Sequence, residues 1–189
     1  MKQMHINPFL LKGYESPEYF CNRTAETEKL INALHNGRNI TLISPRRMGK
    51  TGLIHHVFNL LNKTKGITCI YIDIYHTNSL SDFVKSFANA VIGSVNTKSQ
   101  RVRSKIFWFF KSIRPVLAVD NVSGIPKLTI DFAPSQTEES LKEIFDYLSK
   151  SGKKCFVAID EFQQITNYGD QGVEALLRSY IQELNNVNF

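Results

Sequence analysis

The run Ser44-Pro45-Arg46-Arg47-Met48-Gly49-Lys50-Thr51 constrains this chain more than any other feature. Upstream, Asn39 to Ser44 is rich in Ile and Leu and reads as a short strand. Downstream, Gly52 to Asn62 places Leu53, Ile54, Val57, Phe58 and Leu61 on one face of a helix. A strand that turns through Gly, four residues and Gly-Lys-Ser/Thr into a helix is the pattern of a phosphate loop. Successive backbone N–H groups wrap the phosphates, and the helix N-terminus turns its dipole toward them. Ser44 stands where the first Gly usually sits. The other positions keep their chemistry: Gly49 lets backbone approach, Lys50 reaches β- and γ-phosphates, and the Thr51 hydroxyl completes a Mg²⁺ shell. Pro45, Arg46, Arg47, Met48, Gly49, Lys50, Thr51 and Gly52 together form the expected nucleotide-binding segment. A chance Gly-Lys-Thr tripeptide would lack both flanking elements and the second motif that follows.

That second motif is Cys155-Phe156-Val157-Ala158-Ile159-Asp160-Glu161, a continuous apolar strand that delivers two carboxylates at its C-terminal end. In open parallel sheets the ligand crevice lies at the carboxyl ends of the strands, which puts Asp160 and Glu161 on the same edge as the phosphate loop. The pair reads as a Walker B motif. Asp160 is the expected metal partner, through water, and Glu161 the group that orients and polarises an attacking water.

Alternating strands and helices place the chain in the α/β class with a mostly parallel sheet. Arg23 to Asn36, with Leu30, Ile31 and Leu34 and then Gly37, is a first helix, and Thr68 to Tyr75 is a strand apolar on both faces. Two helices follow, Leu80 to Ser94 and Lys98 to Ile113. Val116 to Val119 and Lys127 to Phe132, around Asn121-Val122-Ser123-Gly124, suggest a small antiparallel hairpin. Ser135-Gln136-Thr137-Glu138 fits a capping box ahead of the helix carrying Leu141, Ile144, Phe145 and Leu148. Val173 to Leu184 is a last amphipathic helix, and Asn186 to Phe189 look like the start of another strand. Residues 1–189 make one domain, with a helical insertion at about 80–113 and a hairpin insertion at about 115–132.

Composition narrows the setting. The 189 residues are 42% apolar and 21% charged, which suits a cored globular chain. Lys and Arg number 23 against 17 Asp and Glu, a net charge of +6 that suits polyanions such as nucleotides. The longest strongly apolar stretch, Ile106 to Phe110, is far below the ~20 residues of a bilayer-spanning helix, and the N-terminus has no apolar signal region. A cytoplasmic protein with no membrane partner is expected. Cys21, Cys69 and Cys155 form no metal or disulfide pattern, and Cys69 and Cys155 read as strand-core residues. His55 and His56 have no third ligand near them in sequence. Asp73 ends its strand on the catalytic edge, where strand-end solvation explains it as well as a place in the metal's water network. Lys98, Arg101, Arg103, Lys105, Lys111 and Arg114 surround Trp108 without an acid, which suits a solvated face or contact with DNA.

In three stretches the chain resembles the archaeal-type AAA ATPases of the STAND group of P-loop NTPases. Phe20-Cys21-Asn22-Arg23 followed by Glu26 is similar to the family's Phe-x-x-Arg motif. Pro45-Arg46-Arg47-Met48-Gly49-Lys50-Thr51 is similar to its Arg-rich phosphate loop, and Ile159-Asp160-Glu161-Phe162-Gln163 to its Walker B. The resemblance implies an additional-strand (ASCE) sheet, with a strand starting at Asn186 between Ile40–Ile43 and Val157–Ile159. It implies ATP and Mg²⁺ as ligands, Glu161 as general base, Asn22 and Arg23 near the base and ribose, and self-association through the nucleotide site. It also implies that a sensor strand and helical lid lie beyond Phe189, so that the chain is C-terminally truncated and inactive as an isolated segment. Beside ATP hydrolysis stand two other readings: an ATP-gated latch without turnover, and a nucleic-acid-binding protein modulated by ATP.

Overall fold

The computed structural model describes residues 13–20, 22–94, 109–119 and 126–189. Its strands are β1 (Ile67–Asp73), β2 (Arg114–Val119), β3 (Pro126–Asp131), β4 (Lys154–Asp160) and β5 (Val187–Asn188). The helices are α1 (Thr24–His35), α2 (Lys50–Leu61), α3 (Leu80–Ser94), α4 (Thr137–Lys150) and α5 (Val173–Glu183). No described helix is long and apolar enough to cross a membrane.

A parallel sheet in the order β1-β4-β5 organises the chain. Because side chains alternate along a strand, β1 and β4 present apolar residues to two different layers. On one face Ile70, Ile72, Cys155 and Val157 meet α3, α4 and α5 through Phe83, Phe87, Leu141, Ile144, Phe145 and Leu177. On the other face Phe156, with Cys69, Tyr71 and Ala158 half-buried beside it, meets α1 and α2 through Leu30, Leu34, Leu53, Val57 and Leu61. Cys155 is buried as expected of a strand-core residue, whereas Cys69 is only half-buried. Burial pushes the Cys69 thiol up to about 12, so it stays protonated. Phe156 is fully buried at the centre of the α1/α2 layer. Phe156→Ala is expected to cost about 3–5 kcal/mol, read as a fall in the urea midpoint with an unchanged slope.

β5 occupies the slot that the family resemblance implies. It pairs in parallel with β4 through Cys155↔Val187 and Phe156↔Asn188, at the start of β4 rather than along Val157–Ile159. On its other side the Phe189 carbonyl accepts the Ile40 N–H at 2.6 Å, and the Asn39 side-chain oxygen accepts the Phe189 N–H at 3.0 Å. Residues 39–40 therefore lie beside β5, while Ile40 and Leu42 pack toward α1 and α2 and Ile43 is exposed. Residues 39–44 do not make the regular strand expected from their sequence, because a ladder needs successive paired residues and β5 spans only Val187–Asn188.

Two further expectations are corrected. The capping box at Ser135–Glu138 is not formed. Pro134 opens a 3-10 turn over Pro134–Gln136, α4 follows with Gln136 as its N-cap and no side-chain cap, and Thr137 Oγ1 donates back to the Pro134 carbonyl at 2.8 Å. The expected helix from Lys98 to Ile113 falls largely outside the described residues, and its last part, Lys111 to Ile113, is not helical. There the backbone N–H groups of Lys111 and Ser112 donate to the Glu143 carboxylate at 3.1–3.3 Å instead of to a helical carbonyl. Ser112 Oγ adds a bond of 2.7 Å to the same carboxylate, which fixes the chain on α4 as it enters β2. β2 and β3 then pair antiparallel from Arg114↔Asp131 to Val119↔Pro126, as the hairpin reading expected. The Asn121–Gly124 turn, Cys21 and most of the basic run around Trp108 lie outside the described residues.

Candidate functional site

The parallel register of β1 and β4 sets Asp73 opposite Asp160, so both carboxylates sit where their strands end. α2 begins at the same edge. Its N-cap, Gly49, has φ 72°, a left-handed conformation open to glycine, and no side chain caps the first turn of the helix. Those first N–H groups have no intrahelical partner, which makes the turn an anion cradle. Pro45, Arg46, Arg47, Met48 and Gly49 are all exposed around it. Lys50 folds its ammonium into the loop, donating to the Ser44 carbonyl at 2.8 Å and to the Pro45 carbonyl at 3.4 Å. The Arg23 guanidinium reaches the same loop from the start of α1 and donates to the Met48 carbonyl.

Three donors converge on the Asp160 carboxylate. Thr51 Oγ1 donates to Oδ2 at 2.6 Å, Tyr71 Oη donates to the same oxygen at 2.8 Å, and the Glu161 N–H donates to Oδ1 at 3.0 Å. Burial pushes this carboxyl up, but the Thr51 and Tyr71 hydroxyls, the Glu161 N–H and the Lys50 charge together hold it below the usual range. It is therefore an anion at neutral pH. Burial and its bond to that anion push the Tyr71 phenol up, so it stays a donor.

Glu161 follows with φ 56°, a left-handed backbone at the point where β4 gives way to the 3-10 turn Phe162–Asn167. Its carbonyl accepts the Gln164 N–H at 2.8 Å, and its Oε2 accepts the Gln163 side-chain amide. Asn22 at φ 62° and Arg47 at φ 64° are the other non-glycine residues with positive φ among those described. Each of the three thus falls in one of the three motif stretches.

Residues 20–188 match the model of a family described as an ATPase domain predominantly from Archaea. The chain belongs to that family. The fold of this ATPase domain is similar to that of a Walker-type ATPase of Pyrococcus abyssi, with a TM-score of 0.59 at 22% identity over 96% of this chain and 47% of that one. It is also similar to the ORC2 protein of Aeropyrum pernix, solved as ADPNP–ADP complexes, with a TM-score of 0.53 at 16% identity over 96% of this chain and 43% of that one. The chain therefore spans a little under half the length of these two structures. No curated protein matches it.

Within the ATPase domain, the structure brings Lys50, Thr51 and Asp160 together and sets Glu161 beside them. It ties Arg23 to the phosphate loop at Met48 and places Asn22 next to it, upstream of α1. The hard oxygen donors Thr51 and Asp160 fit Mg²⁺, which is bound through one or two carboxylates plus substrate phosphates rather than a dedicated protein cage. Among the described residues there is no group of three or more His, Cys, Asp or Glu that could hold a metal ion by itself. Asp73 accepts the Tyr75 N–H at 2.9 Å, a strand-end turn. His55 and His56 belong to an aromatic group. His55 lies 4.4 Å from the Tyr71 ring, while His56 stacks on Phe20 at 4.1 Å and meets the Tyr14 hydroxyl at 3.2 Å.

Tyr71 escapes sequence reasoning, and Gln163 enters it only as the last residue of the Walker B stretch, without a role. Strand alternation puts Tyr71 on the face of Asp73, and so of Asp160, which is the signal that would have found it. The contact of Gln163 with Glu161 carries no such signal, because it depends on the 3-10 turn at Phe162–Asn167.

Proposed function

We propose that this domain binds ATP with Mg²⁺ and hydrolyses it to ADP and phosphate, coupling turnover to a change of conformation. The observation that carries the reading is the bond from Thr51 to Asp160, which closes the phosphate loop onto the carboxylate strand at the N-terminus of α2. The first-turn N–H groups of α2 bind the phosphates, and Lys50 exchanges its two loop carbonyls for β- and γ-phosphate oxygens. Thr51 and Asp160 would hold Mg²⁺, which would supply charge neutralisation to the phosphates. Glu161 accepts a proton from the attacking water as the water oxygen bonds to the γ-phosphorus. The bond from that phosphorus to the bridging oxygen breaks, and ADP leaves with the electron pair. Arg46 and Arg47, exposed on the loop, add positive charge where phosphates arrive. Asn22 and Arg23 lie at the edge from which the base and ribose extend.

The hydrolytic reading is favoured over a latch by the carboxylate of Glu161, one residue past Asp160 at the end of β4. Calorimetric titration of ATP into the full-length protein, in Mg²⁺ and in EDTA, with phosphate release followed in parallel, tests it. Tighter binding and turnover in Mg²⁺ are expected, with Asp160→Asn losing most of the Mg²⁺ stimulation. Absence of ATP binding by the unaltered protein would overturn the assignment, and binding without turnover would leave the latch.

A further inference from the structure

We propose that Tyr71 is a positioning residue for the metal half of this site, its hydroxyl holding the Asp160 carboxylate in the orientation that receives the ion. The proposal rests on the Mg²⁺-ATP reading above and concerns a residue outside both nucleotide motifs.

The geometry is a cross-strand diagonal. Tyr71 sits two residues before Asp73, the register partner of Asp160, on the face of the sheet that α2 covers. Diagonal neighbours on adjacent strands lie within reach of an aromatic side chain, and the Tyr71 hydroxyl spans this one to 2.8 Å from Oδ2. The ring is fixed from above by His55, 4.4 Å away, one helical turn along α2 from Thr51. α2 thus supplies both the brace for the ring and the second hydroxyl on the same oxygen.

Without Tyr71 the carboxylate keeps one donor on each oxygen, Thr51 on Oδ2 and the Glu161 N–H on Oδ1, and the orientation of Oδ2 follows the Thr51 hydroxyl, which the ion itself would engage. With two hydroxyls on Oδ2 and the Glu161 N–H on Oδ1, its plane is set from three directions. The remaining acceptor capacity of Oδ1 is then left for the hydration shell of an ion. The bond is not forced by burial, because Tyr71 is half-buried and lines a cleft of about 590 Å³ with Thr51, Gly52, His55 and Cys69, where its hydroxyl could meet solvent. Outer partners of metal-binding carboxylates tune affinity by orientation of this kind.

The test separates positioning from packing. A fluorescent ATP analogue is titrated into the full-length protein in EDTA and in Mg²⁺, and the ratio of the two affinities gives the gain that Mg²⁺ brings. Tyr71→Phe keeps the ring under His55 and removes only the hydroxyl. It is expected to bind the analogue in EDTA like the unaltered protein while losing about tenfold of the Mg²⁺ gain. Tyr71→Leu, which also removes the ring, is expected to show the same loss together with a lower Tm. A full Mg²⁺ gain in Tyr71→Phe, whatever its Tm, overturns the proposal and leaves the tyrosine a packing residue. Absence of any Mg²⁺ gain in the unaltered protein overturns the underlying metal reading first, and the role of Tyr71 with it.

Discussion

Lys50→Ala is expected to lower ATP affinity by about a hundredfold or more, to the edge of what calorimetry detects. The ammonium lies within the span of the loop, between the Ser44 and Pro45 carbonyls, at the first residue of α2. A charge-assisted hydrogen bond contributes about 1.5–3 kcal/mol, and each 1.4 kcal/mol is tenfold in affinity, so loss of contacts to two phosphates exceeds a single decade. The fold should survive, because the lysine is only half-buried and its partners are backbone carbonyls that water can reach. Circular dichroism confirms that the variant is folded before the titration is read. Unchanged affinity in a folded variant would remove the phosphate-loop assignment and make the serine at position 44 decisive.

Glu161→Gln separates binding from chemistry. The substitution keeps the size of the side chain and its capacity to bond Gln163, and it leaves the Glu161 N–H on Asp160 untouched. Mg²⁺-ATP affinity should therefore stay within a factor of about two, since no uniform binding contact is lost. Turnover should fall about 10²- to 10⁴-fold, the usual contribution of a positioned general base. Phosphate release from the full-length protein decides it. Equal turnover in the two proteins would excuse Glu161 from the proton transfer and point to a water-only path.

The phosphate loop and the carboxylate strand are legible in sequence because their chemistry is local. Gly49, Lys50 and Thr51 act from consecutive positions, and the apolar run into Asp160 declares a strand on its own. The slot taken by β5 is different. Two residues of strand carry no topological information, and the position between β4 and residues 39–44 is readable only through resemblance to a family. The capping box fails because Pro134 starts a 3-10 turn one residue before Ser135, so the chain is already turning where the motif needs an extended N-cap. The last part of the helix expected up to Ile113 is not helical because Glu143, some thirty positions later, takes the N–H groups of Lys111 and Ser112. Tyr71 and the contact that Arg23 makes belong to the same class, although Arg23 itself is expected near the nucleotide. Their roles are set by what lies opposite them, Asp160 on a neighbouring strand and the Met48 carbonyl on a distant loop.

Asn22, Arg47 and Glu161 share a left-handed backbone that glycine would adopt without strain, at a cost of about 1–3 kcal/mol each. Glycine would also leave each position free to visit many other shapes, and that freedom would have to be surrendered when a nucleotide arrives. A side chain at these positions excludes many of those other shapes but also disfavours the left-handed one, so the surrounding fold must hold it there before any ligand is present. The strain is therefore an investment in readiness: conformational entropy is removed during folding, once, rather than in every round of nucleotide capture and release. Arg47→Gly should accordingly make the folded chain no less stable while slowing the approach of its loop to the phosphate-bound shape, a separation of stability from preorganisation that few single positions in this domain offer.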